Sequence, residues 1–178
     1  MHIEKIEVGE LRTNCYLIEK EGNSLIIDPG DEYIKIKEFI KDKNLIGILI
    51  THSHFDHIGC VNNLTKDYNI PVYDNNSLKE GINHIKNFTF EVIKTYGHTM
   101  DSISFYFEED KIMFTGDFLF YNTIGRYDFK ESNINEMIAS IDRIKKYPKD
   151  ITIYPGHGRK TNLGYEIQNN PYVNTYIL

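Results

Sequence analysis

The sequence predicts an α/β (α+β) fold of two mixed β-sheets with helices outside. Three observations carry this expectation. Short runs rich in β-branched and aromatic residues alternate with segments of helical period in each half of the chain. The run Ile46-Gly47-Ile48-Leu49-Ile50 is continuously apolar, the pattern of a strand buried on both faces. The apolar fraction of 40% over 178 residues is enough for one core, so a single domain spanning 1–178 is expected.

In chain order, residues 2–8 and 13–20 read as strands around a turn near Gly9-Glu10, because Thr13-Asn14-Cys15-Tyr16-Leu17-Ile18 is β-branched and aromatic. Ser24-Leu25-Ile26-Ile27 is a third strand, stopped by the turn residues Asp28-Pro29-Gly30. Ile34, Ile36, Phe39 and Ile40 space a helix over 32–43, and 46–50 is the buried strand. A helix over 58–68 and a short strand at 71–73 complete the first half. Residues 88–94, 102–107 and 111–115 read as strands. Ile134, Met137, Ile138, Ile141 and Ile144 define an amphipathic helix over 133–147, and 151–154 is the last strand.

Composition excludes several classes. The formal net charge is −6, with no long basic run, which argues against nucleic acid or an anionic membrane as partner. The N-terminus alternates charge and apolarity without a signal-type apolar region, and no stretch approaches the length of a membrane span. Two cysteines, Cys15 and Cys60, make no disulfide scaffold, so a cytoplasmic setting is expected. Cys15 lies in a strand and reads as core. Cys60 reads as a small buried residue, with a redox role as the alternative.

Five of the seven histidines follow a predicted strand or sit in a glycine-bounded loop. His52-Ser53-His54-Phe55-Asp56-His57 follows the buried strand directly. In an extended segment 52, 54 and 56 point the same way, and His57 can turn toward a second position. Imidazole and carboxylate suit zinc, and also iron or manganese. Gly97-His98-Thr99, Thr115-Gly116-Asp117 and Gly156-His157-Gly158 place three more ligand types at strand ends. His2 and His84 have no such surroundings and read as surface or packing residues.

The ordered set His52-x-His54-x-Asp56-His57, Gly-His98, Gly-Asp117 and Gly-His157 resembles the metallo-β-lactamase superfamily. The resemblance runs from Asn14 to Pro171 and implies an αββα sandwich with metals at one edge of the sheets. The segments Thr115-Gly116-Asp117-x-Leu119-Phe120 and Ile124-Gly125-Arg126-x-Asp128-Phe129 are similar to the small glyoxalase II-like hydrolases and to their persulfide dioxygenase cousins. The resemblance implies that His52, His54 and His98 hold one metal, that Asp56, His57 and His157 hold another, and that Asp117 bridges both. Asp28 matches an aspartate that steadies the ligands. The sequence departs from the family at Met100-Asp101, where Pro-Gly is common, and at Tyr96 and Cys60. A different pocket mouth is the consequence expected.

Two divalent ions, zinc before iron or manganese, would share a bridging hydroxide, with Asp56 and Asp117 as the catalytic carboxylates. Two dications against Asp56, Asp117 and hydroxide leave a positive site for an anionic substrate. A thioester suits it, because a thiol of pKa near about 8.5 leaves without much acid help. Arg126 is a candidate donor to a substrate carboxylate, or else an ion-pair partner of Asp128; Tyr121 and Tyr127 are candidates for lining the pocket. Long glutathione-thioester hydrolases of the family add a C-terminal helical domain, so here the thiol carrier would be gripped by loops. The resemblance also leaves two alternatives. One is a mononuclear Fe(II) persulfide dioxygenase using His52, His98 and Asp117; the other is a lactone hydrolase on the same site. Against a secreted β-lactamase stand the missing export signal and Asp117 itself, where many of those enzymes carry cysteine.

Overall fold

The computed structural model describes residues 1–175. β1 (His2–Val8), β2 (Thr13–Lys20) and β3 (Asn23–Ile27) form an antiparallel meander. β4 (Leu45–Leu49) and β5 (Val72–Tyr73) add to it in parallel, giving a five-stranded sheet in the order β1-β2-β3-β4-β5. A parallel step needs a crossover. α1 (Tyr33–Ile40) supplies the first, and α2 (Phe55–Ile58) with α3 (Val61–Tyr68) supplies the second.

The second sheet has six strands. β6 (Gly81–Ile85), β7 (Phe88–Lys94), β8 (Ile103–Phe107) and β9 (Ile112–Gly116) run antiparallel. A small hairpin, β10 (Leu119–Phe120) with β11 (Thr123–Ile124), follows. α4 (Ile134–Ile144) then carries the chain back so that β12 (Thr152–Pro155) lies parallel to β9. β13 (Thr161–Asn162) forms the edge, and α5 (Leu163–Asn169) and α6 (Pro171–Asn174) close the described chain.

Alternation along the strands builds the layers. On β2, Tyr16 and Ile18 face the second sheet, where Phe90, Phe105, Phe107 and Phe114 meet them between the sheets. Cys15 and Leu17 face the other way, toward Ile36 and Ile40 of α1 and Leu64 of α3. On the far side, Ile93, Tyr106 and Met113 pack against Met137, Ile141 and Ile144 of α4. The result is helices, sheet, sheet, helices, which is the αββα sandwich expected. Phe90 and Phe105 meet edge to face at 5.7 Å, a geometry worth about 0.5–1.5 kcal/mol beyond the area they bury.

Three boundaries differ from the sequence reading. The helix expected over 32–43 ends at Ile40, because Lys41 turns to φ 41°. The single helix expected over 58–68 is two, α2 starting earlier and α3 resuming after Gly59-Cys60. β6, the β10–β11 hairpin, β13, α5 and α6 had no expected counterpart. The helix expected over 133–147 starts as expected, where the Asn133 side chain accepts hydrogen bonds from the amides of Asn135 and Glu136, but ends at Ile144.

Candidate metal centre

The chain leaves β4 in an extended loop through His52 and His54, then enters α2 at Phe55. His52 and His54 reach one point, as alternation predicts. Asp56 corrects the expectation. It lies on α2, not in the extended run, and the helix presents it with His57 to a neighbouring point. His98 stands in the loop between β7 and β8, Asp117 directly follows β9, and His157 follows β12. Strand ends of both sheets therefore deliver all seven residues to one place.

Ligand-type atoms of His52, His54 and His98 lie within 4.8 Å of one another, and so do those of Asp56, His57 and His157. Asp117 stands between the two sets. Its Oδ1 is 3.3 Å from His57 Nε2, and its Oδ2 is 3.4 Å from His157 Nε2 and 3.7 Å from His98 Nε2.

The outer ring nitrogens fix the tautomers. His57 Nδ1 donates to Asp28 Oδ2 at 2.9 Å, His98 Nδ1 to the Arg126 carbonyl at 2.8 Å, and His157 Nδ1 to the Leu11 carbonyl at 3.0 Å. Each inner Nε2 then carries a lone pair. That of His157 faces Asp56 Oδ2 at 3.3 Å, and that of His57 faces the same oxygen at 3.5 Å. A lone pair opposite a carboxylate needs a cation between them, either a proton or a metal. Burial works against charge on His57, yet Asp28 and Asp117 overcome it and raise its pKa to about 10. His157 is likewise buried and likewise raised, to about 9, by Asp117 and Asp56. Burial, then the neighbouring His57, pushes His52 well below the usual histidine value. Burial works against charge on Asp117, yet the neighbouring His157 and His57 rings outweigh it and hold the carboxyl well below the usual carboxylate range.

Three buried atoms of the cluster, His52 Nε2, His57 Nε2 and Asp117 Oδ1, have no hydrogen-bond partner among the described residues. An unpaired buried polar atom costs about 1–3 kcal/mol, and a shared cation removes that cost. Five imidazoles and two carboxylates are also the donor set that divalent transition metals take. The residues fit such ions.

A supporting network holds the cluster. Asp28 sits at φ 51° in the Asp28-Pro29-Gly30 turn. Its Oδ1 accepts from the Thr51 amide at 2.8 Å, and its Oδ2 accepts from both the Thr51 hydroxyl at 2.6 Å and His57. Thr51 Oγ1 in turn lies 3.1 Å from His52 Nδ1. One carboxylate thus reaches two rings, His57 directly and His52 through Thr51. Thr13 Oγ1 donates to Asp56 Oδ2 at 2.7 Å. Gly156 makes room: a Cβ there would stand 2.2 Å from Asp117 Oδ1 and 2.8 Å from His57 Cε1.

The cluster opens into a cleft of about 540 Å³, lined also by Leu11, Phe55, Phe120, Arg126, Phe129 and Glu131. Phe55 and Leu11 are 74% and 54% exposed at its mouth. Sequence reasoning missed Leu11, Thr13, Thr51, Phe129 and Glu131; Phe55 stood inside the motif and was passed over. Arg126 lines the cleft, but Asp128 holds its guanidinium in a fork at 2.9 and 3.0 Å, so the ion-pair alternative is the one observed. Tyr127 is a correction: it packs against the α4–α6 core and does not line the cleft. Tyr121 lines an adjoining cavity beside His157. His2 and His84 are exposed on β1 and β6. Cys15 and Cys60 are buried in the helix-side core, where burial pushes the Cys60 thiol up to about 11, so both are packing residues.

Among the described residues, no helix is long and apolar enough to cross a membrane. The family model of the metallo-beta-lactamase superfamily matches residues 8–78 and 73–157. Hydroxyacylglutathione hydrolase GloC of Haemophilus influenzae is 35% identical, the alignment covering 98% of this chain and 99% of that protein. The B3 metallo-beta-lactamase BLEG-1 superposes with a TM-score of 0.92 at 29% identity, covering 97% of this chain and all of that one. TTHA1623 in a di-iron-bound form superposes at 0.87 with 31% identity, over 95% and 99% of the two chains. ETHE1 from Myxococcus xanthus does so at 0.89 with 28% identity, over 97% and 84%. Sequence match, sandwich and histidine cluster agree, and the chain is a metallo-hydrolase of the metallo-β-lactamase superfamily.

Proposed function

We propose that this chain is a dinuclear metal-dependent hydrolase of small anionic thioesters, of the hydroxyacyl-thiol, glyoxalase II-like kind. One observation carries the reading: a single carboxylate, Asp117, reaches both ligand triads. His52, His54 and His98 would hold one ion, Asp56, His57 and His157 the other, with Asp117 touching both. Bound there, two divalent ions lower the pKa of a water toward neutrality and polarise the substrate carbonyl. Zinc suits the donors best, and the di-iron form of TTHA1623 supports iron as the second choice before manganese.

The chain's own residues do the rest. Asp28 and Thr51 hold His52 and His57 in place, and Thr13 holds Asp56. Asp56 and Asp117 orient the attacking water. Leu11, Phe55 and Phe129 line the way in with apolar surface and exclude bulk water from the acyl group. The likeness to GloC over nearly the whole of both chains supports a thioester as substrate. The same reading takes the protein as a single cytoplasmic domain with no nucleic-acid or membrane partner.

A second reading, a mononuclear iron persulfide dioxygenase built on His52, His98 and Asp117, draws support from the likeness to ETHE1. Metal analysis of protein purified without chelator and without air separates the two. The proposal expects two ions per chain and faster turnover of S-lactoyl thioesters than of lactones. One iron per chain with oxygen uptake on a persulfide would overturn it.

A further inference from the structure

We propose that Arg159, seated on Tyr121 beside His157, holds a carboxylate of the thiol carrier. The identity of the carrier rests on the thioester reading above; the anion site itself does not.

Beside the metal cleft, across His157, lies a second cavity of about 420 Å³ lined also by Tyr121, Gly158 and Arg159. Phe120, Thr123 and His157 line both spaces, so one ligand can span them. The guanidinium carbon of Arg159 lies 3.4 Å from the centroid of the Tyr121 ring. Tyr121 is stacked in turn on Tyr165, with centroids 5.3 Å apart and planes 14° apart, and the two hydroxyls share a hydrogen bond of 2.9 Å. The guanidinium therefore rests on a braced aromatic platform and loses less freedom when it binds an anion. Its N–H groups lie in the guanidinium plane, and a carboxylate meets that edge in bidentate fashion.

Arg159 differs from the other arginines. Arg12, Arg126 and Arg143 are each paired with an acid, Glu7, Asp128 and Glu80 respectively. Among the described residues, no carboxylate pairs with Arg159. An unneutralised cation beside the reaction cleft, on a chain of net charge −6, selects an anion. Arg126 cannot serve in the same way while Asp128 holds its fork. With the carrier's carboxylate at Arg159, its sulfur lies toward His157 and the acyl group toward Phe55 and Phe129. Arg159 is thus a specificity residue, expected to act on KM more than on kcat.

The test uses matched carriers: the S-lactoyl thioesters of N-acetylcysteine and of its amide, and of glutathione and of its diamide. The expectation, in at least one pair, is that the acid exceeds the amide in kcat/KM by about tenfold. Arg159→Gln removes that preference through KM, leaving the amide's constants within about twofold, and Arg159→Lys restores part of it. Arg126→Gln keeps the acid-to-amide ratio. Equal rates for acid and amide in both pairs, or equal losses for both in Arg159→Gln, would overturn the proposal. Calorimetry with the S-methyl forms of the same carriers, on metal-loaded protein, reads the anion site without turnover. Arg159-dependent preference for the S-methyl acids, with no thioester hydrolysed, would retain the anion site and refute the thioester reading. Thioester hydrolysis with no acid preference in either assay would do the reverse.

Discussion

His57 is fully buried and lies within 3.5 Å of three carboxylates, Asp28, Asp56 and Asp117. Its position depends on Asp28, which also steadies His52 through Thr51. Asp28→Ala is therefore expected to weaken metal affinity by about 10- to 100-fold, measured by competition with a chromogenic chelator. Asp28→Asn, which still accepts from the Thr51 amide, should fall between. The protonation of His57 and His157 gives a second expectation. Their raised folded pKa values, about 10 and about 9, stabilise chelator-treated protein fully below the unfolded histidine value of about 6.5. That stability is lost as the pH rises through 9 to 10. Asp117, depressed, contributes in the opposite sense, above the unfolded carboxylate value and less as the pH falls. Metal-loaded protein needs both rings deprotonated, so the gap in Tm between loaded and chelated protein should widen from about pH 6 to about pH 9. A constant gap would contradict the assignment. At this scale the seven residues of the cluster were legible as candidate ligands because metal-binding residue types crowd into six positions and recur beside glycines at strand ends. Thr13, Phe129 and Arg159 were not. Thr13 matters only because it meets Asp56, 43 residues away, and Arg159 only because Tyr121 and Tyr165 lie beneath it.

Among elements, α2 is four residues long and carries Asp56 and His57. What holds it is the close approach of Gly59 to the turn after β3: a Cβ at Gly59 would stand 2.1 Å from the carbonyl oxygen of Gly30. Gly59→Ala should destabilise the protein by about 1–3 kcal/mol in urea unfolding and lower its metal content, since Asp56 and His57 move with α2. Sequence reading ran one helix through this point because Gly59 and Cys60 do not break a helical pattern; only the contact with Gly30 does. The long strands and α4 were legible from β-branched runs and from the 3.6-residue spacing of isoleucines. β6 was not, although it forms a tight hairpin with β7, because Ile82 and Ile85 are its only apolar side chains; β13, α5 and α6 were not, being short and held in part by partners distant in sequence. Glu166 illustrates this: fully buried on α5, it accepts from the Asn122 amide and from the Asn170 side chain.

Over the whole molecule, the two sheets are joined by a phenylalanine-rich layer. Phe105 is fully buried in it. Phe105→Ala should cost about 3–5 kcal/mol, read as a lower urea midpoint at unchanged m. Cys15 and Cys60 lie in the other core layer, so native protein should react slowly with a thiol reagent and fully once unfolded; chelator should speed the reaction if the ions brace the fold. The sandwich was legible as a class because both halves alternate strand and helix. The meeting of the two halves at one set of strand ends was legible from the ligand residue types at those ends together with the family resemblance, since no local pattern records it.

Each candidate ligand triad takes two residues from before β6 and one from after it. During synthesis, His52, His54, Asp56 and His57 leave the ribosome well before His98, Asp117 and His157. An ion held by the early residues alone would lack part of its shell. His157 arrives only when β12 has docked beside β9. On the proposed assignment, metal choice would therefore be made by the finished fold and not by the order of translation.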